Sequence, residues 1–490
     1  MSKKLRGIVA LVGLCALSLF SLSCGSSSSR PSGVVYVLTQ GSNGFGNDVS
    51  SFALDLNSGG LSLINSNAST CNGTASNGNP EPCGLPLDIL LDPAGANAFV
   101  LNQGTPCQIQ NNQCITGSNP TVLPTIYSYS VNSDGSLSVP GSTPTYWTCI
   151  QPSGTGCSQS NSLPDTAISM VMDAAGQFLF VIDQGLYPSP TSCPAIASPV
   201  TNAQQATDFI GCPSISVFSI KGNALTLVSQ SANYQSPLFL SKIPTGISPV
   251  TPPNLPSTIQ ELLFATNNFD LCTVGCGLHP HNDNTVSVYG VQSSGVLVEQ
   301  SNSPYSIAAV NPISVFAVNT FPAGQTTGGG VFVYVGNEGQ TGGSVSPFEL
   351  CTAPDALCSS EDVSENLLLP VTACTPPTSC VVTAGQSPIQ MLTDPTNNFL
   401  YVLSEGSSQV FEFRIGSSTG SLTSPTNAPT GSQPVSMAMH PSVNNSGQYL
   451  YVSNTASSNI TGFTLSTTSG TMADSLSVVA PASPSGIAVH

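Results

Sequence analysis

Residues Ser387–Gly406 read S-P-I-Q-M-L-T-D-P-T-N-N-F-L-Y-V-L-S-E-G. A proline opens an alternating run, Asp-Pro makes a turn, and an aromatic-valine segment ends on a small polar residue. Alternation with period two puts every second side chain on one face, the pattern of a half-buried strand. Asp followed by Pro is ordinary turn chemistry. The phrase returns as Gln433–Asn454, Q-P-V-S-M-A-M-H-P-S-V-N-N-S-G-Q-Y-L-Y-V-S-N. It returns once more, cut in half, as Ser483–His490, S-P-S-G-I-A-V-H, and the other half stands at Gly33–Thr39, G-V-V-Y-V-L-T. A repeat divided between the two ends of a chain implies a ring closed by those ends.

The aromatic-valine segments number seven. They are Tyr36–Thr39, Phe99–Asn102, Phe180–Asp183, Phe264–Asn267, Tyr334–Asn337, Tyr401–Ser404 and Tyr451–Asn454. Third strands follow, as at Ile126–Ser130, Ile215–Ile220, Thr285–Gly290, Val410–Arg414 and Ile460–Leu465. Fourth strands come after a turn containing glycine, as at Gly135–Ser138 and Gly295–Val298. Seven units of four short antiparallel strands predict an all-β fold, a seven-bladed β-propeller. Gly486–Val489 becomes the innermost strand of the blade whose other strands are N-terminal, which removes the free sheet edges of an open array. A pair of β-sandwiches leaves the divided repeat unexplained.

Only 6% of residues are charged, against about 25% in ordinary globular proteins. The formal charge is −17, from seven basic and 24 acidic residues. Such a surface repels nucleic acid and anionic membranes and excludes them as partners. The N-terminus carries Lys3, Lys4 and Arg6, then the apolar run Gly7–Phe20, then small residues before Cys24 and a Ser26–Ser29 tract. This is the anatomy of a secretory signal, and its apolar run is short for a membrane span. Residues 1–23 are therefore expected as a signal peptide, 24–32 as a Ser-rich tether and 33–490 as one propeller. Removing the signal leaves four basic against 24 acidic residues, a balance of −20. The segment resembles a bacterial lipoprotein signal with Cys24 as the lipidated residue, although Ser21 stands where that pattern has leucine. The resemblance implies an exported, envelope-located protein that meets the membrane only through a lipid anchor.

Beyond Cys15 and Cys24, fourteen cysteines form seven neighbouring pairs: Cys71/Cys83, Cys107/Cys114, Cys149/Cys157, Cys193/Cys212, Cys272/Cys276, Cys351/Cys358 and Cys374/Cys380. An even number in an exported chain reads as disulfides, and local pairing is the expectation. The prolines opening the repeats, Pro86, Pro164, Pro244, Pro312, Pro388, Pro434 and Pro484, are 78, 80, 68, 76, 46 and 50 residues apart. The last two blades are near the bare repeat length, and the cysteines fall in the longer ones. Strand direction alternates, so loops between second and third strands and between blades emerge on one face. Six of the seven pairs fall on that face and Cys351/Cys358 on the other. Insertions on one face of a repeat array often mark its binding face.

The Tyr-Val-x-Asn endings and Asp/His-Pro turns resemble the YVTN-repeat and lactonase-type seven-bladed propellers, over about Gly33–His490. That resemblance implies the fold. It also suggests 6-phosphogluconolactonase-like hydrolysis, with arginine, histidine and acidic groups around one mouth of the channel. No arginine or histidine here matches such a position. A phosphorylated substrate calls for Arg or Lys clamps, and Lys221 and Arg414 sit on outer strands, leaving Lys242 as the channel candidate. The expected role is a binding or interaction scaffold acting through the insert-bearing face. Its partner would be a small molecule, a glycan or an envelope protein, and the chain is expected as a monomer. The alternative is a lactonase-like hydrolase opening a neutral lactone, and catalysis is left open.

Candidate residues at the channel mouth are Asp88, Asp165, Asp183, Asn267, Asn337, Glu338 and Glu405, with Gln390 at the start of a first strand. They could bind Ca²⁺ or a hydroxylated ligand, while strand-end asparagines also serve to satisfy backbone groups. No cofactor is expected. Cys272, Cys276, His279, His281 and Asp283 have zinc-like spacing, but export favours a small disulfide loop there, so no metal is expected. His440 and His490 occupy the turn position that Asp92, Asp173 and Asp394 hold elsewhere, and read as turn residues on the opposite face.

Overall fold

The computed structural model describes residues 31, 33–40, 47–69, 85–103, 108–110, 113–115, 124–138, 151–152, 167–185, 193–209, 212–270, 281–339, 342–355, 357–371, 381–440, 448–480 and 483–490. Seven antiparallel sheets follow one another along the chain. Blade 1 runs outward from Pro484–Val489 through Val34–Thr39, Asp48–Leu54 and Leu61–Ser69. The first strands of blades 2 to 7 are Pro86–Leu91, Ala167–Met172, Lys242–Val250, Pro312–Asn319, Pro388–Thr393 and Pro434–Met439. Each pairs with the aromatic-valine strand that follows it.

The ring closes as the divided repeat requires. Val35, Tyr36 and Val37 pair with Val489, Ala488 and Ile487. Val34 and His490 exchange a pair of backbone hydrogen bonds, 2.8 Å and 3.0 Å long. The apolar core is not one mass but seven clusters, one at each seam between adjacent blades. At the closing seam Val35, Val37, Phe52 and Leu54 from the N-terminal strands pack against Tyr449, Tyr451 and Ile460 from blade 7.

The repeat motif explains the seams. In each blade the second strand carries two same-facing side chains two apart, the second always aromatic and the first large except for Val34 and Asn97. The second of them, Tyr36, Tyr334, Tyr401 or Tyr451, donates its hydroxyl to the carbonyl of Gly135, Gly420, Gly470 or Gly59 in the next blade, at 2.9, 3.0, 2.8 and 2.7 Å. These glycines lie in the turn between third and fourth strands. The first large residue packs beneath the same turn. A Cβ on Gly420, whose φ is +63°, would stand 2.3 Å from the Phe332 ring. Glycine is therefore required twice at this turn, by its left-handed backbone and by the close approach.

Two of the seven expected disulfides lie within the described residues, and both pair locally. Cys193–Cys212 closes the loop between second and third strands of blade 3. There Val200, Phe209 and Phe239 join the disulfide in a small core of their own. Cys351–Cys358 closes the connection between third and fourth strands of blade 5. Cys24, Cys71, Cys83, Cys107, Cys149, Cys157, Cys272, Cys276, Cys374 and Cys380, the side chain of Cys114, and residues 1–30 lie outside the described residues. Among the described residues no helix is long and apolar enough to cross a membrane.

Candidate binding channel

Prolines open five of the seven first strands, and Pro244 holds the same register position within the longer strand of blade 4, where the missing N–H falls at a sheet edge and costs no ladder bond. Their carbonyls receive the preceding blade. Ser485 donates to Pro86, Gln184 to Pro244, Thr245 to Pro312, Ser314 to Pro388 and Thr455 to Pro484, at 2.6–3.2 Å. This ring of bonds fixes the seven inner strands around a central channel. Its cavity, about 550 Å³, is lined by the inner strands of blades 2 to 7. The wall is as polar as it is apolar, with Leu87, Ile168, Met172 and Phe316 interspersed by serines, Thr245 and Gln390.

One register position recurs around this wall. Asp88 stands opposite Leu101, Ser169 opposite Ile182, Gly246 opposite Thr266, Ser314 opposite Gly336, Gln390 opposite Leu403 and Ser436 opposite Ser453. The Asp88 carboxylate accepts the N–H of Ile89 at 2.9 Å and reaches the N–H of Met170 in blade 3 at 3.5 Å. Gln390 does the same for blade 7, its Oε1 accepting the N–H of Met437 at 2.6 Å. Burial raises the Asp88 pKa to about 6, and the two backbone N–H groups only partly offset this.

Among the described residues, Asp88 is the one ionisable residue lining the channel. Asp165 lies outside the described residues, and Ser169 holds Asp88's register position in blade 3. The reason is a correction to where that blade opens. Its first strand begins at Ala167, which stands opposite Asp183 as Pro86 stands opposite Asn102, so Pro164 precedes the strand.

Asp183 and Asn337 end second strands, Asn267 lies three residues before the end of the longer second strand of blade 4, and all three are at most 1% exposed. The Asp183 Oδ1 accepts from Gly185 N. Asn337 donates to Val335 O and Ser346 Oγ, and Asn267 to Thr285 and Ser287 hydroxyls. These bonds hold strand ends together beneath the loop mouth. Glu338 and Glu405 are brought to one side of that mouth, where Ser387 donates its hydroxyl to Glu338 and accepts the Glu405 N–H on its carbonyl. Neither lines the channel. Sequence reasoning passed over Ser169, Ser436 and Phe316. The signal for the serines was available, since each lies four residues before the turn residue Asp173 or His440, as Asp88 does before Asp92.

Lys242 is not a channel residue. It stands opposite Asp270 where the first strand of blade 4 extends outward, and its charge acts on Glu299 of the fourth strand. Lys221 and Arg414 are exposed on third strands, the latter over the Phe399 ring. On the opposite face Asp92, Asp173 and Asp394 each cap their turn by accepting at least two backbone N–H groups. Burial and the neighbouring His490 lower the His440 pKa. Two further acids have strongly raised values away from the channel. Burial and Asp173 push Glu261 to about 7, and burial and Asp355 push Glu349 to about 8. Glu349, Asp355 and Cys358 are the one group of three metal-ligand atoms found within 4.8 Å among the described residues, but the Cys358 sulfur is held in its disulfide.

The family model described as "Lactonase, 7-bladed beta-propeller" matches residues 369–488, the stretch of blades 6 and 7 and the closing strand. The fold is that of the lactonase-type propellers. A protein of Bacteroides fragilis, provisionally described as a 6-phosphogluconolactonase, is 13% identical with a TM-score of 0.56, covering 95% of this chain and 99% of its own. The periplasmic gluconolactonase of Pseudomonas aeruginosa is 15% identical with a TM-score of 0.52, covering 94% and 99%. A protein of Lactobacillus plantarum is 13% identical with a TM-score of 0.52, covering 94% and 99%. At these identities the likeness concerns architecture. No curated protein matches the sequence.

Proposed function

We propose that this protein is a ligand-binding propeller of the cell envelope, exported and tethered through Cys24. Its small-molecule site is the central channel, reached through the face that carries the cysteine-bearing inserts. The observation that carries this reading is the chemistry of the wall. A cavity of about 550 Å³ is within the range of small-molecule sites, which are mostly apolar with a few placed polar groups. Ester or lactone hydrolysis needs a group to stabilise the developing oxyanion as well as a base. Among the described residues, the wall supplies one acid and no arginine, lysine or histidine. Binding fits that inventory better than hydrolysis does. The two described disulfides agree with an oxidising location.

A second reading, opening of a neutral lactone, is favoured by the family match over 369–488 and by the gluconolactonase among the similar structures. Asp88 would then be the base. A thermal-shift screen of sugars, sugar lactones and amphiphiles tests the first reading, with Ser169→Trp filling the channel. Stabilising ligands whose effect vanishes in Ser169→Trp are expected. No stabilising ligand, or effects that survive the substitution, would overturn it. Turnover of a neutral lactone, abolished by Asp88→Asn, would replace binding with hydrolysis.

A further inference from the structure

Building on the reading of the channel as the ligand site, we propose that its ligand is an organic monocation with an apolar body, an ammonium ion for which the Asp88 carboxylate is the counter-ion. The first support is the surroundings of Asp88. Four strands pack around it: its own, Pro86–Leu91; the second strand of its blade, Asn97–Asn102; and the inner strands of the flanking blades, Pro484–Val489 and Ala167–Met172. Asp88 is the only ionisable residue in all four. A carboxylate withdrawn from water is costly to ionise without a partner. Here the described residues supply two backbone N–H groups and no positive charge in the channel wall. The partner charge has to come with the ligand.

The second support is the comparison with Gln390. Both side chains sit at the same register position and accept the backbone N–H of the next blade at equivalent residues, Met170 and Met437. The amide oxygen of Gln390 makes the shorter bond, 2.6 Å against 3.5 Å. The latch between blades therefore needs an acceptor and not a charge. The negative charge at Asp88 is surplus to the architecture.

The remaining wall suits the body of such an ion. Phe316 and Met172, both only partly buried, are among the residues lining the cavity, and both kinds of side chain are favourable neighbours for alkylammonium carbons. The charge balance of −20 left after signal removal draws cations toward the mouth and repels phosphorylated or carboxylate ligands.

The test is titration calorimetry on the full-length protein with choline and with 3,3-dimethylbutan-1-ol, the uncharged isostere in which carbon replaces nitrogen. At pH 8 choline is expected to bind about tenfold more tightly than the alcohol, the order of one partly desolvated charge pair. Choline carries its charge at every pH, so any pH dependence reports the protein. With Asp88 ionising near 6, about a tenth of it is ionised at pH 5, and choline binding should weaken about tenfold from pH 8 to pH 5. Asp88→Asn keeps an acceptor for Met170 and should erase both the preference and the pH dependence. Adding Gln390→Glu to Asp88→Asn should restore the preference by returning one carboxylate to the wall. Equal binding of the two probes, a preference that survives Asp88→Asn, or no binding of either probe overturns the cation proposal. The channel reading is judged separately, by whether hits from the neutral screen disappear in Ser169→Trp.

Discussion

Four seams of the ring are tied by tyrosine and three are not. From blade 5 through blades 6, 7 and 1 to blade 2, a second-strand tyrosine reaches the turn glycine of its neighbour. From blade 2 through blades 3 and 4 to blade 5, the same position is Phe99, Phe180 and Phe264, which have no hydroxyl. The tyrosine arc contains the compact blades and the closing seam. The phenylalanine arc contains long insertions, and there the work passes to residues outside the repeat. At the seam between blades 3 and 4, Gln230 donates to the Gly295 carbonyl at 3.2 Å and accepts the Leu297 N–H at 2.7 Å. One glutamine thus makes the bond that tyrosine makes elsewhere, and adds a second. At these five seams the turn carbonyl is the common demand, and the donor is negotiable.

The largest test of this contrast removes the closing strand. Deleting residues 484–490 strips blade 1 of its inner strand and exposes two seams, so loss of the cooperative thermal transition is expected by calorimetry. A protein that still melts cooperatively would show that the phenylalanine arc holds the ring alone. Next, Gln230→Leu leaves two buried backbone groups without partners, for an expected loss of about 2–3 kcal/mol in denaturant unfolding. A loss under about 0.5 kcal/mol would show that Gln230 is not the substitute latch. Tyr451→Phe, which strands the Gly59 carbonyl alone, should cost about 1–2 kcal/mol by the same measurement. The smallest effect is expected from Phe180→Tyr. Its new hydroxyl meets a carbonyl already bonded to Gln230, so stability should change by less than about 0.5 kcal/mol. A clear gain from Phe180→Tyr in the Gln230→Leu background, with none in the parent, would sharpen the comparison most.

The architecture was legible because its signals lie within single repeats. Alternation, the Asp-Pro turn and the divided phrase at Ser483–His490 can each be read without knowing what a residue touches. The latches were not legible, because they join repeats. Nothing in the segment holding Tyr334 says that its hydroxyl ends at Gly420 in another blade. The same limit governed the channel. Asp88 was recognisable as an acid at a first-strand start, but that no other ionisable group among the described residues shares the channel wall follows only from the ring of inner strands. In blade 3 Pro164 misled, since a proline beside Asp165 mimics the repeat opening while the strand begins three residues later at Ala167. The wall residues Met170, Phe316 and Met391 look like ordinary strand hydrophobics in the sequence. Met170 and Met391 are indeed buried in the cores of the seams, and only closure of the ring brings their strands beside a channel.

The bonded pair of Val34 and His490 carries a consequence for how the protein is made. Synthesis runs from one end, so Val34–Thr39, Asp48–Leu54 and Leu61–Ser69 are available long before Pro484–Val489 exists. Until then this three-strand sheet has an unpaired edge on the side of Val34–Thr39, and blade 7 has no neighbour on its far side. An uncovered strand edge is a template for pairing with other chains. The last seven residues of the chain are therefore its protection against its own copies, and the interval before they arrive is when the protein is most exposed to misassembly.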